Sequence, residues 1–173
     1  MNSQEPAPKT SGPTSWSDSW VLWFGRGFGS GQIPVAPGTF GTLAGVLLVW
    51  GLKELTELGP ASDWTYGIIS LIVFLVGIPI CTRCEQLLYK HDPSEIVIDE
   101  IAAILIVMAP FEFNWKSALC GFAFFRLFDI LKPWPVSWAD KKVNGLGIML
   151  DDLVAAGYAI LVMFGLHYLQ LFS

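Results

Sequence analysis

Charge is what this chain has least of. Only 14 % of its 173 residues are Asp, Glu, Lys or Arg, against roughly 25 % in an ordinary soluble domain. Basic residues are the scarcer kind: 10 Lys and Arg stand against 15 Asp and Glu, a formal net charge of −5. With no basic field to hold a phosphate backbone, nucleic acid is excluded as a partner. Three cysteines, Cys81, Cys84 and Cys120, are too few and too odd in number for a disulfide framework. The pair Cys81 and Cys84 has no second pair to complete a metal site, and two histidines, His91 and His167, leave zinc and histidine-based phosphatase chemistry poorly supplied. Cys120 and Arg126 have the C-x5-R spacing of cysteine phosphatases. The intervening GFAFF, however, is an apolar helical run and not a loop that could aim backbone N–H groups at a phosphate. The N-terminal stretch also lacks an apolar core bounded by a cleavage site. Rich in Ser, Pro and Thr, residues 1–20 are expected to form a disordered tail, leaving 21–173 as one domain.

What the chain has in abundance is apolar sequence, 53 % of all residues. Trp64 to Thr82 carries no charge at all, and Leu153 to Ser173 carries none if His167 is neutral. Each suffices for a bilayer, which takes about 20 apolar residues. Phe40 to Leu58 is apolar until Lys53, Glu54 and Glu57 give it a wet end. Ile98 to Pro110 is short and opens on Asp99 and Glu100, while Trp115 to Leu131 carries Arg126 and Asp129. The expected fold is therefore all-α, a polytopic membrane bundle of about five helices. A soluble helical domain with a very apolar core is the alternative.

Lys and Arg in short loops favour the cytoplasmic side. If the five segments alternate from an N-terminus inside, Lys9, Arg26, Arg83, Lys90, Arg126, Lys132, Lys141 and Lys142 share the cytoplasmic face, leaving Lys53 and Lys116 opposite. The same assignment gathers Asp92, Glu95, Asp99, Glu100, Asp129, Asp151 and Asp152 on that face, although no insertion rule asks acids to follow. Carboxylates at a membrane boundary are expensive unless paired, hydrated or bound to a cation. For Asp99 and Glu100 at one helix start, and Asp151 and Asp152 at another, the helix dipole offers a capping explanation. Asp129 ends a helix, where the dipole is unfavourable, and so needs a cation; Arg126 lies three residues before it.

Adjacent helical positions point about 100° apart, so usually only one acid of each pair faces the bundle interior. Asp99 shares its stripe with Ala102, Ala103 and Ile106, and Asp152 with Ala155, Ala156 and Ala159, a small-residue face suited to close helix packing. Asp99 and Asp152 are expected inward, with Glu100 and Asp151 nearer the rim as water-mediated ligands or supporting groups. Hard carboxylate oxygens suit Mg²⁺, which is expected to be held chiefly by Asp99 and Asp152 with Asp129 and the rim acids Glu100 and Asp151. Carboxylates, Mg²⁺, Arg126 and Lys132 together suggest phosphoryl chemistry, with the two cations as phosphate clamps. The Gly-rich segment 24–42 reads as a loop whose PGT brings Thr39 to a helix start, where free N–H groups can receive an anion. A small ion transporter or channel is the rival function, but it calls for charges spread through the membrane depth.

Four stretches, GFGSGQIPVAPGTFGTLAG, DPSEIVIDE, FRLFDILKPWP and GLGIMLDDLVAA, together resemble the motifs of phosphatidylglycerophosphatase A. The similarity covers roughly residues 25 to 160. It implies a Mg²⁺-dependent hydrolysis of phosphatidylglycerophosphate to phosphatidylglycerol and phosphate, in an all-helical fold among the lipids of a bacterial inner membrane. It further implies that Asp99, Glu100, Asp129, Asp151 and Asp152 are the active-site carboxylates, with Arg126 and Lys132 beside them. Whether water or an aspartate attacks the phosphate stays open.

Overall fold

The structure is a computed structural model and describes residues 15–57, 63–136 and 144–170. Among these are six α-helices, one 3₁₀ helix and no strand. The α-helices are α1 (Trp16–Gly25), α2 (Pro37–Glu57), α3 (Asp63–Leu88), α4 (Ile98–Met108), α5 (Trp115–Leu131) and α6 (Gly145–Tyr168), with the 3₁₀ helix Gly27–Gln32 between α1 and α2. The all-helical expectation holds, and the count of five does not. The helix α1 begins inside the stretch expected to be a tail, of which residues 1–14 lie outside the described residues. Much of the Gly-rich segment is 3₁₀ helix and the first turns of α2.

Local sequence sets several boundaries. Asn114 accepts from the N–H groups of Lys116 and Ser117 while Ser117 Oγ accepts from the N–H of Asn114, a reciprocal cap that starts α5 at Trp115. The helix α6 opens at Asn144, whose side chain accepts from the N–H of Leu146, well before the charge-free run at Leu153. Aspartates at 151 and 152 therefore lie inside the helix, because the bundle interior receives them. In the same way α3 runs on past Thr82, and Arg83 there binds Asp18 of α1.

The short helix α4 is the axis of the bundle. It packs against α2, α3, α5 and α6, and nine of its residues are buried. Its 11 residues rise about 16 Å, roughly half the hydrocarbon thickness of a bilayer. Surrounded by neighbours, it needs no lipid-facing length of its own. Trp64–Leu88 and Gly145–Tyr168 are the two described helices long and apolar enough to cross a membrane, fewer than the five spans expected. The expected small-residue faces do meet the core: Ala102, Ala103, Ala155, Ala156 and Ala159 are all buried.

Away from the acids, the C-terminal end of α4 is tied down by polar side chains. Tyr66 donates its hydroxyl to the Leu105 carbonyl at 2.9 Å. Lys53 donates to the Phe111 carbonyl at 3.0 Å and lies over the Tyr66 ring. The first satisfies a carbonyl that the helix end leaves open, and the second fixes the turn that follows α4. Meanwhile the outer side of α3 is apolar, with Ile68, Leu71, Ile72 and Leu75 exposed, whereas its inner side holds Tyr66 and Ser70. This is the reverse of a soluble amphipathic helix.

The start of α6 is pressed onto α3. A Cβ at Gly145 would meet the backbone of Ile78 and Thr82, and the Gly145 N–H already donates to Thr82 Oγ1. Gly145→Val should therefore destabilise the protein by about 1–3 kcal/mol in detergent unfolding experiments. Gly157→Ala, with open space at its Cβ, should be neutral or stabilise by up to ~1 kcal/mol; equal effects would contradict this packing.

Candidate active site

Five helices bring one end each to a common cavity or its wall. The N-terminus of α2, the first turn of α4, the C-terminus of α5 and the second turn of α6 enclose a cavity of about 260 Å³. It is lined by Ala36, Pro37, Gly38, Asp92, Ser94, Ile96, Asp99, Glu100, Arg126, Asp129, Lys132, Asp151 and Asp152. The end of α3 supports the wall through Thr82 and Gly145. All five expected carboxylates and both expected cations meet here.

The acids divide into two sets. Asp99, Glu100 and Asp152 each offer a carboxylate oxygen within 4.8 Å of the others. Among their buried oxygens, Asp99 Oδ1, Glu100 Oε2 and Asp152 Oδ2 have no hydrogen-bond partner. The other two acids are neutralised by named cations. Arg126 Nη1 lies 2.6 Å from Asp129 Oδ2 and 3.6 Å from Glu100 Oε1, and Lys132 Nζ donates to Asp151 Oδ2 at 2.8 Å. The cation required by Asp129 at a helix C-terminus is thus Arg126, one turn earlier on the same face.

Capping explains none of the α6 acids, since Asn144 is the cap and the aspartates lie a full turn further in. Nor does any side chain cap α4: its cap residue is Val97, tied through its N–H to the Gly25 carbonyl at 2.8 Å. The inward placement of Asp99 and Asp152 agrees with their burial. The rim placement of Asp151 does not, for it is as buried as Asp152, and Glu100 stands with the three-carboxylate set instead of outside it. Both results come from neighbouring helices filling the space beside the acids, which a single-helix face analysis leaves out.

Lys132 reaches Asp151 because it ends α5 in the left-handed conformation, φ 42° and ψ 55°, which turns the chain sharply. Thr39 is not brought into the cavity. Its N–H is taken by the Ala36 carbonyl at 2.9 Å, and the preceding Pro37 and Gly38 line the wall in its place. Gly38 matters for a reason its motif alone did not reveal: a Cβ there would run into Glu100 Oε1 and come within 3.0 and 3.1 Å of the Arg126 guanidinium. Asp92, which sequence reasoning had placed only on the same face, and Ser94, which it did not single out, are further lining residues in the turn before α4. Cys81 and Cys84 are buried in the core and take no part in the cavity.

The cavity lies within a stretch of the chain that matches a known family. The sequence model of the family described as phosphatidylglycerophosphatase A matches residues 23–167. The chain belongs to the phosphatidylglycerophosphatase A family. It is 43 % identical over 147 residues to the phosphatidylglycerophosphatase A of Haemophilus influenzae, covering 84 % of this chain and 87 % of that one. Its identity to the Escherichia coli phosphatidylglycerophosphatase A is 34 % over 157 residues, 88 % of this chain and 87 % of the other. A Bacteroides thetaiotaomicron protein named for a different lipid, a putative phosphatidylinositol-3-phosphatase, is 33 % identical over 142 residues, 80 % and 88 % of the two chains. No solved structure matches. Family membership makes the protein a phosphatase, and the cavity is the place where its charged groups converge.

Gly38→Ala tests that convergence. The added methyl displaces Glu100 or Arg126 by about an ångström, so phosphatase turnover should fall roughly 100-fold while the unfolding midpoint in detergent stays near that of the parent. Full turnover in this variant would show that the N-terminus of α2 need not approach the acids so closely.

Proposed function

We propose that the protein hydrolyses phosphatidylglycerophosphate to phosphatidylglycerol and inorganic phosphate, and that Asp99, Glu100 and Asp152 hold a Mg²⁺ ion for that reaction. The observation carrying the metal assignment is a set of three carboxylates, Asp99 and Asp152 buried and Glu100 partly so, that bring oxygens within 4.8 Å of one another and each hold a buried oxygen without a hydrogen-bond partner. Holding them this close costs Coulomb energy that a divalent cation would offset. Their donors are all hard oxygens, which fits Mg²⁺ better than zinc. Bound there, the ion would supply Lewis-acid polarisation of a phosphate oxygen and activation of water.

The residues of the chain do the remaining work. Arg126 has five N–H donors, so it can keep Asp129 and still bind a phosphate oxygen, whereas Lys132 exchanges Asp151 for one. As Lys132 turns toward the phosphate, Asp151 Oδ2 is released to accept the proton of the attacking water. The water oxygen bonds to phosphorus, the bond from phosphorus to the glycerol oxygen breaks, and that oxygen takes the proton Asp151 has accepted, leaving as the alcohol and restoring the carboxylate. Asp129 holds Arg126 in place throughout. A lipid phosphate lies at the membrane surface, and a cavity at the helix ends can meet it there while the acyl chains stay in the bilayer. The basic residues favour the cytoplasmic face of a bacterial inner membrane for that end.

Purified protein should release phosphate from phosphatidylglycerophosphate only with Mg²⁺ present, lose this with chelator, and show little recovery with Zn²⁺. Asp99→Asn, Asp152→Asn and Glu100→Gln should each remove nearly all activity and raise the Mg²⁺ requirement. Asp151→Asn should lower turnover about 10²- to 10⁴-fold with less change in metal dependence. A larger metal shift in Asp151→Asn than in Glu100→Gln would overturn the assignment of these two acids.

Orientation is open to a separate measurement. In intact cells, a cysteine replacing Lys116 should react with a membrane-impermeant maleimide, and one replacing Lys90 only after the membrane is opened. The reverse pattern would place the cavity on the outer face.

A further inference from the structure

Helix α1 is built with its polarity reversed. The side packed against α3 holds Asp18, Leu22 and Gly25, all buried, and Asp18 Oδ1 accepts two bonds from Arg83, at 2.8 and 3.1 Å. The side turned away from the protein carries Trp16, Trp20, Trp23 and Phe24, every one exposed, Trp16 at 88 %. A surface helix of a soluble domain has the opposite arrangement. The rings form a set: Trp20 meets Trp23 edge-on at 5.6 Å, and Trp23 meets Phe24 at 5.3 Å. Beyond the end of the helix, Phe28 adopts φ 58°, ψ 26°, a left-handed conformation that bulky residues seldom take. Its ring closes on Trp23 at 4.8 Å and Phe24 at 5.5 Å yet stays half exposed.

We propose that α1 and Phe28 form an aromatic anchor that lies in the interfacial plane of a phospholipid bilayer and sets the depth of the acid cavity at the lipid headgroups. The inference rests on the membrane setting of the proposed function. With 10 residues, α1 is about 15 Å long and cannot cross a bilayer, but it can lie along one. Indole rings, apolar with one N–H, favour the boundary between headgroups and acyl chains. The outward face has no charged residue, so it suits acyl and interfacial contact better than a charged partner. Further along the chain, Phe40, Leu43 and Leu47 of α2 are likewise exposed. The anchor is wired to the site. Gly25, the last residue of α1, accepts from the N–H of Val97, two positions before Asp99, and Arg26 binds Glu95 at 2.9 Å.

The test uses the full chain carrying Cys120→Ala, since Cys81 and Cys84 are fully buried. Nitroxide labels are placed at Trp20→Cys, Trp23→Cys and, on the flank of the helix, Ser17→Cys. After reconstitution into vesicles of mixed phosphatidylcholine and phosphatidylglycerol, dissolved oxygen should relax the labels at 20 and 23 more than a water-soluble nickel chelate does, with the preference reversed at 17. Chelate dominance at all three positions would put α1 in water and overturn the anchor. Spin–spin broadening with low accessibility to both reagents would overturn it in favour of a contact between two copies of the chain. Phosphate release is not read in this experiment, so failure of the anchor and failure of the proposed substrate show up separately.

Discussion

Three carboxylates held against one another inside an apolar bundle are the constraint on which the rest of the structure turns. Asp99, Glu100 and Asp152 lie within 4.8 Å in surroundings that would reject any one of them alone. Their neighbours are chosen accordingly. Arg126 spans Asp129 and Glu100, Lys132 holds Asp151, and Gly38 leaves out the methyl that would collide with Glu100. The short α4 is fixed at both ends, by the acids at its N-terminus and by Tyr66 at the Leu105 carbonyl. Its alanines allow α6 to approach closely enough to deliver Asp152.

The distribution of polarity follows from the same constraint. Charged groups are drawn to one end of the bundle and inward, so the outward faces of α2 and α3 are left apolar. In water that arrangement would be costly; in a bilayer it is the stable one, because lipid tails solvate the outer faces and the interior satisfies the polar groups. Only two of the described helices are long and apolar enough to cross a membrane by themselves. Helix α5, with 17 residues, is shorter than either, and its Arg126 and Asp129 serve each other at the site.

Away from the cavity lining, ion pairs join segments distant in sequence. Arg83 of α3 holds Asp18 of α1, and Arg26 holds Glu95 in the turn leading to α4. The partly exposed Arg26–Glu95 pair contributes little stability on its own, typically under about 1 kcal/mol, while the other encloses a buried carboxylate. Their effect is positional. They seat α1 beside the acidic helix and present its aromatic side outward, so that the edge of the site and the surface of the protein are one rigid construction.

Much of this was legible in the residues. The scarcity of charge gave the all-helical architecture and the two helices long and apolar enough to cross a membrane; the start of α5 at Trp115 could be read to the residue, and the five acids with Arg126 and Lys132 could be grouped on one face. These features depend on local periodicity and on the sign of nearby charges, which a sequence carries directly. The helix at Trp16–Gly25 escaped because its aromatic stripe looks like part of a Ser-rich tail until Arg83 is seen binding Asp18. Asp151 was misplaced at the rim, and Thr39 was expected where Gly38 and Pro37 stand, because both depend on which neighbouring helix fills the adjoining space. The sequence by itself determined which side chains the site would contain; only the tertiary structure decided how they divide into an open three-carboxylate set and two ion pairs, since that division is set by distances across helices that no single helix fixes.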